Sequence, residues 1–180
     1  MVRNHRAEYL YMRDNFIPAI DLGYFAAVAR GRAPLTLIDA NAEQLSSRET
    51  LDRVCSAAPD LLVIKGVLNI MEHDLEVAQR YKEQCPEAEV VLSCRGAMEA
   101  EASLFEEFPF LDGIARGEVD AFAPELADGC SLGDIPGMSV PGACSTVVRI
   151  VEDLDAHPIP DLEAMPDLWA APWTVLHQHR

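Results

Sequence analysis

Leu61-Leu-Val-Ile-Lys65 and Glu89-Val-Val-Leu-Ser93 decide the fold. Each is a short, nearly continuous apolar run, the signature of a strand covered on both faces rather than of one with a wet side. Between them Met71, Leu75 and Ala78 recur at helical spacing, and Pro86 closes that stretch just after Cys85. A strand, a helix and a second buried strand in this order predict a parallel sheet with crossover helices.

The pattern continues outward in both directions. Leu35-Thr-Leu-Ile-Asp39 is an earlier strand ending in a polar residue, and Asp112-Gly-Ile-Ala115 is a shorter later one. Leu22, Phe25, Ala26 and Ala29 mark a helix before the first. Ser46 and Glu49 have the spacing of a capping box ahead of Leu51, Val54, Cys55 and Ala58. Met98, Ala102 and Phe105 mark a fourth helix, and residues 120–127 a short fifth.

The two ends depart from this rhythm. A doubly wound domain should open on its central strand, yet only Met1 to Asn4 precede a polar, aromatic stretch, so a first strand cut short or replaced is expected. From Gly129 onward Gly and Pro recur and helical periodicity is lost. Ile135-Pro-Gly-Met-Ser-Val140 and Ser145-Thr-Val-Val-Arg-Ile150 read as a small β-hairpin. The Pro-rich residues after Asp153, with Trp169 and Trp173, read as a linker lying across another surface. The expected division is an α/β domain over 1–128 and a hairpin with an extended linker over 129–180.

Composition removes several classes of function. A formal net charge of −16 opposes non-specific nucleic-acid binding, which depends on neutralising phosphates with Lys and Arg. No apolar run is long enough to span a bilayer. No secretory leader is legible after Arg3 and Arg6, so a cytoplasmic protein is expected. Cys55, Cys85, Cys94, Cys130 and Cys144 form no C-x-x-C pair and read as reduced thiols.

In open α/β sheets ligands bind beyond the carboxyl ends of the strands. The residues there are Asp39, Ala40 and Asn41; Gly66, Val67, Leu68 and Asn69; Ser93, Cys94, Arg95, Gly96 and Ala97; and Arg116, Gly117 and Glu118. Pro18, Leu22 and Gly23 open the first helix. Such small side chains let a bulky planar ligand approach the backbone, and equally make tight strand-to-helix turns.

Taken together, these stretches resemble a family. Pro18-x-x-x-Leu22-Gly23-Tyr24-x-Ala26-Ala27-Val28, Leu37-Ile-Asp-Ala-Asn-Ala-Glu43 with Leu45-Ser46, and Pro59-Asp-Leu61 are similar to the opening of the cobalamin-binding domain of cobalamin-dependent radical SAM enzymes. Phe110-Leu-Asp-Gly-Ile-Ala-Arg-Gly-Glu118, Ile135-Pro-Gly137, and Asp153-Leu-Asp155 with Pro158 and Pro160 follow in the family's order. The resemblance covers nearly the whole chain and rests on the ordered set. It implies a flavodoxin-like, Rossmann-like doubly wound sheet, with a corrin ring over the strand ends. It further implies cobalamin contacts from Pro18, Leu22, Gly23, Asp39, Ala40, Asn41, Gly66, Val67, Ser93, Cys94, Gly96, Arg116, Gly117 and Glu118. The activity implied is methyl transfer or related radical chemistry, with the protein holding and tuning the cofactor.

The chain also departs from the family. Ser93-Cys-Arg-Gly96 stands where paired glycines and a His are usual, and Gly117-Glu-Val-Asp120 where a Gly-Glu-Gly-Glu ending is usual. No C-x-x-x-C-x-x-C loop is present for an iron–sulfur cluster, so a radical SAM partner, attached or separate, is expected to supply the catalytic half. The Asp-x-His-x-x-Gly loop of the other cobalamin class is absent. Asp155-Ala-His157 begins like one but runs on into Pro158-Ile159-Pro160. His5 is a candidate lower ligand of cobalt, and His177 and His179 read as a tail.

Competing readings are weaker. A signalling receiver needs a phospho-accepting Asp where Lys65-Gly66 stands. A nucleotide enzyme needs a Gly-rich phosphate loop, and none follows a strand. The remaining alternative is a cofactor-free scaffold of the same fold, serving as a protein interaction domain.

Overall fold

The computed structural model describes residues 2–3, 19–67, 71–97, 99–161 and 163–164. Strands β1 (Val2–Arg3), β2 (Ile38–Asp39), β3 (Leu61–Lys65), β4 (Glu89–Ser93), β5 (Gly113–Ala115) and β6 (Met138–Ser139) form one sheet in the order β2-β1-β3-β4-β5-β6. The first five run parallel and β6 is antiparallel at the edge. The order 2-1-3-4-5 is the flavodoxin-like one, with its direction reversal between β1 and β3.

Helices α1 (Ile20–Ala29), α2 (Ser47–Ala57), α3 (Met71–Gln84), α4 (Glu101–Glu107) and α5 (Ala123–Ala127) cover both faces. Alternation along the strands assigns each side chain to a face. Leu62, Ile64, Val90 and Leu92 pack with Val54, Leu75, Ala78 and Tyr81 of α2 and α3. Val63 and Val91 point the other way, onto Leu22 and Phe25 of α1 and Phe122 and Leu126 around α5. Both faces are therefore buried, which is why β3 and β4 read as continuous apolar runs. Ser46 closes the expected capping box: its Oγ accepts from Glu49 N at 3.3 Å, and the Glu49 carboxylate accepts from Ser46 N at 2.8 Å.

β3 and β4 match the expected runs residue for residue. The run from Leu35 yields only Ile38–Asp39. β2 borders β1 alone, pairing Ile38 with Val2 and Asp39 with Arg3; Leu35 and Thr36 lie beyond that pairing and are exposed. The first strand, described over Val2–Arg3, lies inside the sheet between β2 and β3.

The expected hairpin of 135–140 with 145–150 does not form. The free edge of β5 carries backbone groups that need partners, and two separate pieces of the following chain supply them. β6 takes Ile114 and Ala115. Arg149 then bridges to Gly117, with Arg149 N donating to Arg116 O and Glu118 N donating to Arg149 O, both at 2.9 Å. Leu132, Ile135 and Met138 are buried in the same core as α1.

Residues 149–161 lie as a strap on this sheet's own carboxyl end, and they include the start of the Pro-rich stretch after Asp153 that was expected to cross another surface. Val151 N donates to the Glu118 carboxylate at 2.9 Å. At the far end Asp161 N donates to Gly23 O at 2.9 Å, and the Asp161 carboxylate takes a hydrogen bond from Arg30. All five cysteines are free. Among the described residues no helix is long and apolar enough to cross a membrane.

Candidate functional site

β3, β4 and β5 end side by side, and the backbone turns that leave them are tight. Gly66 N donates to Ser93 O at 2.9 Å, tying the first turn to the second. A Cβ at Gly66 would sit 2.9 Å from Leu92 Cδ1 and 3.2 Å from Met71 Cγ, so close packing alone already favours glycine here. Above these ends lies a cavity of about 840 Å³.

Its floor is Gly66, Val67, Ser93, Cys94, Gly96, Gly117 and Glu118. One wall is the start of α1, with Ile20, Asp21 and Tyr24. The other is the strap, with Val151, Leu154, His157 and Ile159. Ile20, Leu154 and Ile159 are exposed large apolar residues, and here they line a recess open to a ligand. Charges sit in pairs around the apolar surface. Lys65 Nζ is 2.6 Å from Asp21 Oδ2, and Arg95 Nη1 is 3.8 Å from Glu118 Oε1 across the mouth. His157 Nε2 is 2.9 Å from Asp120 Oδ2, and its ring lies 5.3 Å from that of Tyr24 at an interplanar angle of 37°.

Seven of the fourteen residues implied as cobalamin contacts therefore meet at one cavity, Gly66, Val67, Ser93, Cys94, Gly96, Gly117 and Glu118, with Arg95 beside them. The others lie elsewhere. Leu22 is fully buried in the core, and Gly23 is buried beneath the strap. Asp39, Ala40 and Asn41 form a closed turn after β2, in which Ala42 N donates to Asp39 Oδ1 at 3.1 Å and Leu45 N to Ala40 O at 2.8 Å. Arg116 reaches a different partner: its Nη1 lies 3.2 Å from Oε1 of buried Glu101, whose other oxygen accepts from Ser139 Oγ at 2.7 Å. Pro18, Asn69, His5, Trp169, Trp173, His177 and His179 lie outside the described residues.

Sequence reasoning missed Asp21, Tyr24, Lys65, Asp120 and His157 as wall residues. Lys65 was readable as the polar last residue of β3. His157 was not, because the contacts that bring the strap home are long-range and leave no periodic signal. Among the described residues no cluster of three His, Cys, Asp or Glu side chains could hold a bare metal ion.

No protein-family model and no curated protein matches the chain. Solved structures do. Over 76% of its length the chain superposes with a TM-score of 0.56 and 13% identity on the radical S-adenosylmethionine methyltransferase TsrM from Kitasatospora setae with cobalamin and a [4Fe-4S] cluster bound. With the same enzyme bound to tryptophan and a SAM analogue the values are 69%, 0.54 and 14%. The chain spans 26–28% of that enzyme. It thus has the fold of one part, about a quarter, of a radical S-adenosylmethionine methyltransferase.

Proposed function

We propose that this chain is a cobalamin-binding module of a radical SAM system. In this reading it holds the corrinoid for methyl transfer or related radical chemistry, carried out with a radical SAM domain that is attached or separate. The observation that carries this is the 840 Å³ cavity over the strand ends, floored by small residues and walled by Ile20, Leu154 and Ile159. It lies where ligands bind in an open α/β sheet, at the carboxyl edge. The fold shared with part of a cobalamin-bound methyltransferase supports the same reading.

The residues fit such a group. Gly66, Ser93, Cys94 and Gly96 leave room for a flat ring to approach the backbone, and the apolar walls suit its hydrocarbon rim. Asp21, Glu118 and Asp120 are acceptors for the amide arms of a corrin. His157, held beside Asp120 with its Nε2 2.9 Å from Oδ2, stiffens the wall on the strap side. When bound, cobalamin supplies a cobalt atom that accepts and releases a methyl group. The chain's own contribution is to bind, to orient and to exclude water; nothing in the cavity reads as a nucleophile with a partner base.

One observation favours a cofactor-free scaffold instead. Packing alone accounts for Gly66 and Gly117, and the strap already covers one side of the mouth. The visible spectrum of the protein after incubation with hydroxocobalamin and desalting separates the two. Retained corrin bands near one equivalent are expected. A folded, colourless protein would sink the cobalamin reading for this chain alone.

A further inference from the structure

β1 is described over two residues where its neighbours ask for more. Val2 stands opposite Ile38 of β2 and Ile64 of β3. Leu61, Leu62 and Val63 carry β3 further toward the amino end of the sheet. There they pair with β4 on one side and, among the described residues, with no strand on the other. Across the gap runs the chain ahead of β2, with Leu35 and Thr36. Between these two rows lies a second cavity, of about 450 Å³, at the end of the sheet away from the first one.

We infer that this cavity is a strand slot, and that its occupant is an extended apolar segment leading directly into Val2, so that the working β1 is longer at its amino end. The backbone of β3 carries the inference. Glu89 N donates to Asp60 O at 2.8 Å, and Gly66 N donates to Ser93 O at 2.9 Å. Backbone groups alternate sides along a strand, so Asp60, Leu62 and Ile64 turn theirs to β4. The N–H groups of Leu61 and Val63 and the C=O of Leu61 therefore face the slot. Such groups call for partners when they are buried, and a strand running parallel to β3 supplies them at the spacing required.

The side-chain surroundings agree. Phe25 and Ala29 of α1 line the slot from one face of the sheet and Val54 of α2 from the other. A strand there is covered on both faces and so is apolar throughout, as β3 is. It also covers Leu35, a large apolar side chain left 39% exposed. A partner strand adding at a sheet edge finds none here, because chain flanks the slot on both sides. A segment continuous with β1 enters along the length of the slot, with its register already set by Val2.

The test places Leu-Leu-Val-Ile, a copy of the β3 run, ahead of Met1 in the full chain, with four Ser and Gly residues there as the control. Amide hydrogen exchange is read at Leu61, Leu62 and Val63. With the apolar segment, Leu61 and Val63 should gain roughly tenfold or more in protection relative to Leu62, whose N–H faces β4. The control should show no such gain. Equal exchange in the two fusions overturns the inference. A free peptide of the same apolar sequence that protects Leu61 and Val63 where the fused segment does not overturns it too, and assigns the strand to a separate chain.

Discussion

The α-carbon of Gly117 faces the carbonyl of Arg149 so closely that a Cβ there would lie 1.9 Å from the oxygen. The same oxygen accepts from Glu118 N. Gly117 also holds a φ of +141°, which side chains rarely adopt. This one glycine lets the strap join the sheet and so forms the wall that carries His157. Gly117→Ala should therefore cost about 2–3 kcal/mol, the order of forced backbone strain, and should release residues 149–161. Urea unfolding and hydrogen exchange of the strap amides read both effects. An unchanged midpoint with a protected strap would mean that the strap does not enter the sheet through this contact.

Glu101 is 2% exposed at its side chain and joins Arg116 to Ser139, whose Oγ in turn accepts from Ser145 N at 2.9 Å. Removing one partner of a buried ion pair leaves the other charge uncompensated, at a cost of roughly 3–5 kcal/mol. Glu101→Ala should approach that loss. Glu101→Ala combined with Arg116→Met should recover part of it, since the cation that lost its buried carboxylate is removed as well. A double mutant cycle in urea measures the recovery; strictly additive losses would show that the pair is not coupled.

Tyr81 is buried and donates to Pro59 O at 2.8 Å. Burial, then contact with Cys85, pushes its phenol up to about 12. A folded pKa raised above the unfolded value near 10 contributes stability that is full below about pH 10 and is lost as pH rises toward 12. Difference absorbance at alkaline pH should show this phenol ionising late, together with unfolding. Tyr81→Phe should cost about 1 kcal/mol at neutral pH through the lost hydrogen bond and should flatten that alkaline dependence. A normal titration of Tyr81 in the folded protein would contradict its burial.

What the sequence made legible follows from range. β3 and β4 could be read because Val63 and Val91 bury one face while Leu62, Ile64, Val90 and Leu92 bury the other, and that needs no distant information. Ser46 and Glu49 are three residues apart and cap α2 by local bonds. The failures are long-range. Ser145 to Ile150 has the alternation of a hairpin strand, yet Arg149 finds a better partner in the open edge beyond β5. Asp39, Ala40 and Asn41 end a strand as ligand residues do, but their carbonyls and Asp39 Oδ1 accept hydrogen bonds within the turn that follows β2, away from the cavity. Arg116 was read as a cavity residue because it follows β5; the buried carboxylate of Glu101, fifteen positions earlier, draws it elsewhere. The strap was read as leaving the domain because Pro-rich sequence carries no sign of Asp120, Gly23 or Arg30 waiting for it.

The far end of the strap should loosen in acid before the sheet does. The Arg30 guanidinium, by hydrogen bond first, holds the Asp161 carboxyl below its ordinary range, helped by Ala164 N donating at 3.2 Å. A depressed folded pKa contributes stability present above the unfolded value near pH 4 and lost as pH falls through the lowered one. Arg30 stays charged throughout, so protonation of Asp161 alone breaks the pin. Hydrogen exchange of the strap backbone between pH 6 and pH 3, normalised to the amides of β3 and β4, should show strap protection falling first. Asp161→Asn keeps an acceptor but removes the charge. It should lower strap protection already at pH 6 and remove the extra acid dependence. If the substituted and unmodified straps lose protection in parallel from pH 6 to pH 3, the Arg30–Asp161 pair does not hold that end, and the backbone bond from Asp161 N to Gly23 O holds it unaided.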